Sequence, residues 1–299
     1  MKLYIVKSFK ENMDLNKIPK QYQLVNELND EVEVYVGPDY LVKDHYQSMK
    51  SLRYLLLTTA GYNNLDIEYV KNKNIKVTNA RGIYSIPIAE SVVAHILYVN
   101  RGLNIYQHQQ KNKEWVRHLD FIELTGAKVG FLGAGSIAEE ILTRLKPFEI
   151  TSSVYRSQNN QGPFDKVYTT KEGLEELFKE SDYIINSLPL NNSTSGLVTK
   201  DIVNLMKKDA FYINVGRAGT NDEEAILNSL RNNNIRAAYL DVFSIEPLPS
   251  DSPVWKTANL YITPHNSPSS IKNKERINEL IIKNLTNYLS KNSLINVIV

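Results

Sequence analysis

The 299-residue sequence contains no cysteine. That absence excludes disulfides, iron–sulfur clusters, zinc fingers and a cysteine nucleophile together, and it is compatible with a reducing compartment. Histidine is scarce as well, at 5 residues, with no His-Glu-x-x-His among them, so no metal is expected. There is no Gly-Lys pair and no Gly-x-Ser-x-Gly, which removes a Walker-type phosphate loop and the usual hydrolase elbow. No apolar run approaches a membrane span, and the short apolar stretch between Lys2 and Lys7 is too brief for a signal-peptide core. Charge of one sign is lacking too. The 35 basic and 33 acidic side chains leave a net +2, so nothing draws the chain toward nucleic acid. A cytoplasmic protein with neither a nucleic-acid nor a membrane partner is the expectation.

What is present looks globular. Apolar residues make up 42% and charged residues 23%, and the length suits two domains. Short apolar runs such as Leu3–Val6, Leu55–Thr58, Lys128–Leu132, Tyr183–Ser187, Ala210–Val215, Ala237–Val242 and Leu260–Thr263 alternate with helix-like stretches. This alternation predicts an α/β fold with parallel sheets covered by helices on both faces. It occurs twice, with a long helical stretch, residues 86–110, between the two parts. Ile88, Val92, Val93, Ile96, Leu97 and Leu103 form its apolar stripe, and Ser85 is placed to cap it. The crossing into a second domain is expected near Arg101–Gly102. The final helix, residues 271–290, has an apolar face able to return to the first domain, though spacing alone does not require this.

The sharpest local pattern is Gly133-Ala-Gly135-Ser136-Ile137-Ala138, which follows an apolar strand and opens a helix. Gly133 permits a tight turn, Gly135 admits a pyrophosphate to the backbone, and Ala138 lets helix and strand pack closely. The first helical N–H groups, at Ser136 and Ile137, then face the phosphates. A dinucleotide site follows. The next strand ends not in the acid that binds a ribose 2′-hydroxyl but in Arg156-Ser157. A guanidinium and a hydroxyl suit a 2′-phosphate, which predicts NADP(H). With Arg156 only stacked on adenine, NAD(H) is accepted as well.

Three polar residues follow predicted strands: Arg217, Glu246 and His265. In an open parallel sheet, ligands bind at that end of the strands. The planar fork of an arginine suits the carboxylate of a 2-oxo acid. Reduction of the neighbouring carbonyl leaves an alkoxide that needs a proton, and an imidazole, which ordinarily titrates near neutrality, can supply it. A carboxylate beside that imidazole favours its charged form and fixes the ring.

With these motifs together, the chain resembles the D-isomer-specific 2-hydroxyacid dehydrogenase family. The resemblance extends to Thr59–Asp66, Asn79–Gly82, Ala89-Glu90 and Leu188-Pro189-Leu190. It implies two Rossmann-like, doubly wound domains with a cleft between them. Residues 1–100 and 271–299 would form a discontinuous substrate domain, and residues 101–270 the dinucleotide-binding domain. It also implies backbone N–H groups around Ala60, Gly61 and Tyr62 that hold the substrate carboxylate with Arg217. Leu188, Pro189 and Val215 would line the cofactor cleft, Asp241 would lie near the nicotinamide, and His265 would act as acid/base paired with Glu246. A homodimer acting on a small 2-oxo or D-2-hydroxy acid, in the short form without a regulatory domain, completes the expectation. Formate dehydrogenases of this superfamily carry Gln in place of the Glu partner, so Glu246 argues against that activity. Asn221 departs from the family, which has an apolar residue before Asp222. The alternatives are a cofactor-sensing protein of corepressor type and a phosphoglycerate dehydrogenase-like enzyme.

Overall fold

A computed structural model describes residues 1–160 and 162–299. The chain divides into two compact units: Met1–Tyr84 with Ser269–Val299, and Ser85–Pro268. Each holds one parallel sheet.

In the first unit, strands β1 (Lys2–Ile5), β2 (Gln23–Val25), β3 (Val34–Gly37), β4 (Tyr54–Leu57) and β5 (Lys76–Thr78) pair in the order β2-β1-β3-β4-β5. Side chains alternate across the pleat. Val34, Val36, Tyr54 and Leu56 therefore face one apolar cluster, while Tyr35, Leu55, Leu57 and Val77 face another. Ile277, Ile281 and Leu285, spaced one helical turn apart on the helix Asn273–Leu289, complete the first cluster. Burying each is worth about 1.5–3 kcal/mol, which is why the chain end belongs to this unit.

The second unit contains β6 (Lys128–Leu132), β7 (Thr151–Tyr155), β8 (Lys166–Tyr168), β9 (Tyr183–Asn186), β10 (Phe211–Asn214), β11 (Ala237–Leu240) and β12 (Leu260–Ile262). Their order is β12-β11-β10-β9-β6-β7-β8, and every pairing is parallel. The order reverses between β6 and β9. At such a switch point the loops leaving neighbouring strands run to opposite faces and open a crevice. No helix among the described residues is long and apolar enough to cross a membrane.

Two features differ from the sequence-based expectation. The long helical stretch is two helices, Ser85–Asn100 and Leu103–Asn112. Gly102 breaks it with φ 61°, and the Phe121 ring sits only 2.1 Å from where a Cβ would be. Leu103, expected on the buried stripe, is 45% exposed. The first of these helices also packs within the second unit, against Ser136–Leu145. The division therefore falls after Tyr84 rather than near residue 100, and after Pro268 rather than 270. Ser85 lies in the first turn of its helix, where its hydroxyl donates to Ser136 Oγ at 2.9 Å.

Candidate active site

β6 delivers the glycine loop. Gly133 has φ 90°, a conformation that L side chains rarely adopt, and its N–H donates to the Tyr155 carbonyl at 2.9 Å. Gly135 precedes the helix Ser136–Leu145, and no side chain caps that helix among the described residues. Its opening N–H groups, at Ser136 and Ile137, are therefore left for a ligand. A Cβ built on Gly135 would meet nothing within 4 Å, so the space a phosphate needs lies directly over the backbone. Ala138 is fully buried where the helix meets the sheet. These residues fit a dinucleotide pyrophosphate. Beyond β7, Arg156 donates its N–H to Tyr168 O at 3.0 Å, with Ser157 exposed beside it. Leu188 and Val215 are buried just past the ends of β9 and β10, and Pro189 is exposed beside them.

Glu246 and His265 come together. His265 Nδ1 lies 2.8 Å from Glu246 Oε2, and Phe243 N–H donates to Glu246 Oε1 at 2.9 Å. The carboxylate is held from both ends, so the ring is oriented by a group that is itself fixed. The two side chains are 41% and 36% exposed, which leaves the imidazole reachable. His265 has φ 50°, and its N–H donates to Asp241 O at 2.8 Å. Arg217 is joined to neither residue by a hydrogen bond or ion pair among the described residues. Its Nη1 donates to Gly216 O at 2.8 Å.

Asp241 is 1% exposed, and its carboxylate is committed to the loop that carries His265. It accepts from Asn266 N–H at 2.9 Å, from Ser267 N–H at 3.0 Å, and from the hydroxyls of Thr263 and Ser267. In the first unit, Ala60, Gly61 and Tyr62 form the loop after β4. Thr59 Oγ1 lies 2.9 Å from Gly61 O and 3.2 Å from Asp39 Oδ1, with its single hydrogen shared between them, and Asn79 Nδ2 donates to Ala60 O. Asn64 Nδ2 donates to Asp39 Oδ2 at 2.8 Å, so the buried Asp39 gathers both ends of the loop.

Residues 93–267 match the model of the D-isomer specific 2-hydroxyacid dehydrogenase NAD binding domain. The chain belongs to the D-isomer specific 2-hydroxyacid dehydrogenase family. As a family member it is an oxidoreductase of the CH–OH group that uses a nicotinamide cofactor. A hydroxypyruvate reductase of Thermotoga maritima is 30% identical over 260 residues, covering 85% of this chain and 84% of the relative. A glyoxylate reductase of Pyrococcus horikoshii is 27% identical over 280 residues, covering 91% and 84%. Among solved structures, a D-isomer specific 2-hydroxyacid dehydrogenase family protein from Aeromonas salmonicida superposes with a TM-score of 0.85 at 26% identity, covering 100% of this chain and 98% of that one.

Several residues that organise the site of this dehydrogenase carry no motif. Asn214 Oδ1 accepts from Gly216 N–H at 2.9 Å, and its Nδ2 donates to Asn221 Oδ1. Tyr212 OH donates to the same Asn221 oxygen at 3.2 Å. Asn186 Nδ2 reaches Thr220 Oγ1 at 2.8 Å, and its Oδ1 accepts from Leu188 N–H at 3.1 Å. This buried amide network ties the Leu188 loop to the Arg217 loop, and it explains Asn221: an apolar side chain there would leave two donors unmet. Polar residues at strand ends were the available signal, but nothing in the sequence pairs them.

His95, on the helix Ser85–Asn100, is a second such residue. It stacks on Tyr239 with ring centroids 3.6 Å apart, and its Nδ1–H donates to Ser91 O at 2.7 Å. Burial lowers its pKa from the ordinary 6.5, offset in part by the Ser91 carbonyl and the charge of Asp241. The unfolded chain therefore takes up this proton first as pH falls. The contribution to stability is present above 6.5 and is lost below it, toward the folded value. His95→Phe keeps a ring against Tyr239 and cannot be protonated. The drop in Tm between about pH 7.5 and about 5.5 should be smaller in that variant than in the wild type. An equal drop in both would assign the acid sensitivity to other groups.

Proposed function

We propose that the protein reduces a small 2-oxo acid to the D-2-hydroxy acid with NADPH, and that His265 is the general acid. The observation that carries this reading is the Glu246–His265 pair. Its carboxylate is pinned by Phe243 N–H, and its imidazole is held through Nδ1 at 2.8 Å. With Nδ1 engaged, Nε2 is the nitrogen that gives its proton to the substrate carbonyl oxygen. A bound nicotinamide supplies the hydride. Glu246 stabilises the imidazolium before transfer and keeps the ring aimed during it. Arg217, with backbone N–H groups of Gly61 and Tyr62, holds the substrate carboxylate, and the loop at Ala60 shapes that contact. The Gly133–Ile137 backbone binds the pyrophosphate, while Leu188, Pro189 and Val215 form apolar wall around the cofactor. Asp241 acts on the nicotinamide side through the loop it holds.

NADPH is the preferred cofactor because Arg156 and Ser157 stand where NAD-using sites place an acid, and the sequence from Val154 to Phe164 holds no carboxylate. Loss of one charge-assisted hydrogen bond costs about 1.5–3 kcal/mol. Arg156→Asp should therefore lower the NADPH-to-NADH ratio of kcat/KM by on the order of tenfold to a hundredfold. An unchanged ratio would mean that the 2′-phosphate is read by other residues. A cytoplasmic homodimer is part of the same reading. Trp115 and Leu119, 96% and 85% exposed, support an apolar surface covered by a second copy.

The test is NADPH and NADH oxidation, side by side, against 2-oxo acids from glyoxylate and hydroxypyruvate to phenylpyruvate and phosphohydroxypyruvate. Turnover with NADPH on one of these supports the assignment, and the ranking sizes the pocket. Tight NADPH binding without turnover on any of them favours the cofactor-sensing reading instead.

A further inference from the structure

The loop carrying His265 is held by a chain of hydroxyl groups whose hydrogen-bond directions can be deduced. Tyr239 OH lies 2.9 Å from Ser91 Oγ and 2.9 Å from Thr263 Oγ1, and Thr263 Oγ1 is bonded to Asp241 Oδ1. Each hydroxyl owns a single hydrogen. Every other partner of the Asp241 carboxylate is a donor, two N–H groups and the Ser267 hydroxyl, so Asp241 accepts from Thr263 as well. Thr263 has then spent its hydrogen and must accept from Tyr239. Tyr239 in turn has spent its own and must accept from Ser91. The donors therefore run one way, Ser91 to Tyr239 to Thr263 to Asp241.

The chain crosses the unit from a helix to the reactive loop. Ser91 is on the helix Ser85–Asn100, Tyr239 on β11, and Thr263 directly follows β12. Asp241 is the terminus, and its backbone carbonyl also accepts from His265 N–H at 2.8 Å. The Tyr239 ring is buried and clamped by the His95 stack, so its hydroxyl has little freedom to find other partners. Burial also pushes its phenol pKa upward, which keeps the proton the chain needs.

We propose that Ser91 and Tyr239 are positioning residues for His265, fixing its loop through the one-way hydroxyl chain that ends on Asp241. Neither touches the reacting atoms. Removing the Tyr239 hydroxyl leaves Thr263 without a donor and Ser91 without its acceptor, and the Asp241 grip on residues 263–267 loosens. A small displacement of an acid costs proton transfer far more than it costs binding. This inference rests on the proposed 2-oxo acid reduction for its kinetic consequence, but not for its structural one.

The experiment has two arms. In the first, hydrogen exchange read by mass spectrometry compares wild type with Tyr239→Phe. The amides of His265, Asn266 and Ser267 should exchange about tenfold faster while those of β6 are unchanged. In the second, on the best 2-oxo acid, Tyr239→Phe should lower kcat by on the order of tenfold to a hundredfold, with KM and the NADPH Kd within about twofold. Ser91→Val should lower kcat in the same direction, and Ser91→Thr, of nearly the same shape but with the hydroxyl kept, should rescue it. Unchanged exchange at 265–267 in a folded Tyr239→Phe protein would overturn the proposal. So would faster exchange with kcat intact, or equal kcat for Ser91→Val and Ser91→Thr. If the wild type turns over no 2-oxo acid, the proposed function fails, and the exchange arm still decides whether the chain holds the loop.

Discussion

Replacing His265 by Ala is expected to lower kcat for 2-oxo acid reduction by roughly 10²–10⁴-fold, the usual contribution of a positioned general acid. The effect depends on Glu246. Its Oε1 accepts from Phe243 N–H and its Oε2 from the ring at 2.8 Å, so the acid is oriented before substrate arrives. Under the proposed role, loss of the imidazole would leave the developing alkoxide to take its proton from water, which is neither oriented nor acidic enough. Dinucleotide binding should survive, because the glycine loop and Arg156 are untouched. A Kd for NADPH within about threefold of wild type, by fluorescence titration, separates loss of the acid from loss of the fold. His265 has φ 50°, so Ala also carries backbone strain at this position. Asn tolerates that conformation, and His265→Asn should show the same fall in kcat. Turnover retained in His265→Asn would remove His265 from the reaction.

Gly216→Ala should be the most damaging small substitution in the second unit. A Cβ there would lie 2.6 Å from Leu188 O, 2.8 Å from Leu188 N and 2.9 Å from Ser187 C. All three are backbone atoms, so no side-chain rotation relieves the clash, and the ends of β9 and β10 must separate. Overpacking of this kind costs about 1–3 kcal/mol. The functional cost follows from what Gly216 holds. Its N–H donates to Asn214 Oδ1 at 2.9 Å and its carbonyl accepts from Arg217 Nη1 at 2.8 Å. Moving it displaces the guanidinium and Leu188 together. Thermal unfolding should shift down by several degrees, about 2–4 °C per kcal/mol, and KM for the 2-oxo acid should rise more than kcat falls. A variant with wild-type Tm and KM would show that the strand ends open without cost.

Much of the fold was readable because its signals are local. Buried strands such as Lys128–Leu132 and Ala237–Leu240 are apolar runs of the right length, and the helix Glu223–Arg231 announces itself by period and by the Asp222 cap. The short strands Gln23–Val25 and Lys166–Tyr168 were missed. Both lie at sheet edges, pair on one side only and keep residues exposed, so neither needs a continuous apolar run. The break at Gly102 was equally hidden, since a glycine inside a helical pattern is tolerated until something distant, here Phe121, occupies its open side.

The same division holds at the site. Gly133, Gly135, Arg217, Glu246 and His265 stand out in the sequence because each sits beside a strand end within a few residues of its motif. The strand–helix alternation, the glycine loop and the types of group offered for chemistry were therefore legible in the residues alone. The tertiary structure alone decided that Asn186, Asn214 and Asn221 share one buried network. It also decided that Asp39 closes the Ala60–Tyr62 loop, and that Ser91 donates toward Asp241 through Tyr239 and Thr263. The physical reason is that a hydroxyl or amide has no preferred partner in sequence. Its partner is whichever group the sheet order brings within hydrogen-bonding distance, and burial then makes that pairing obligatory.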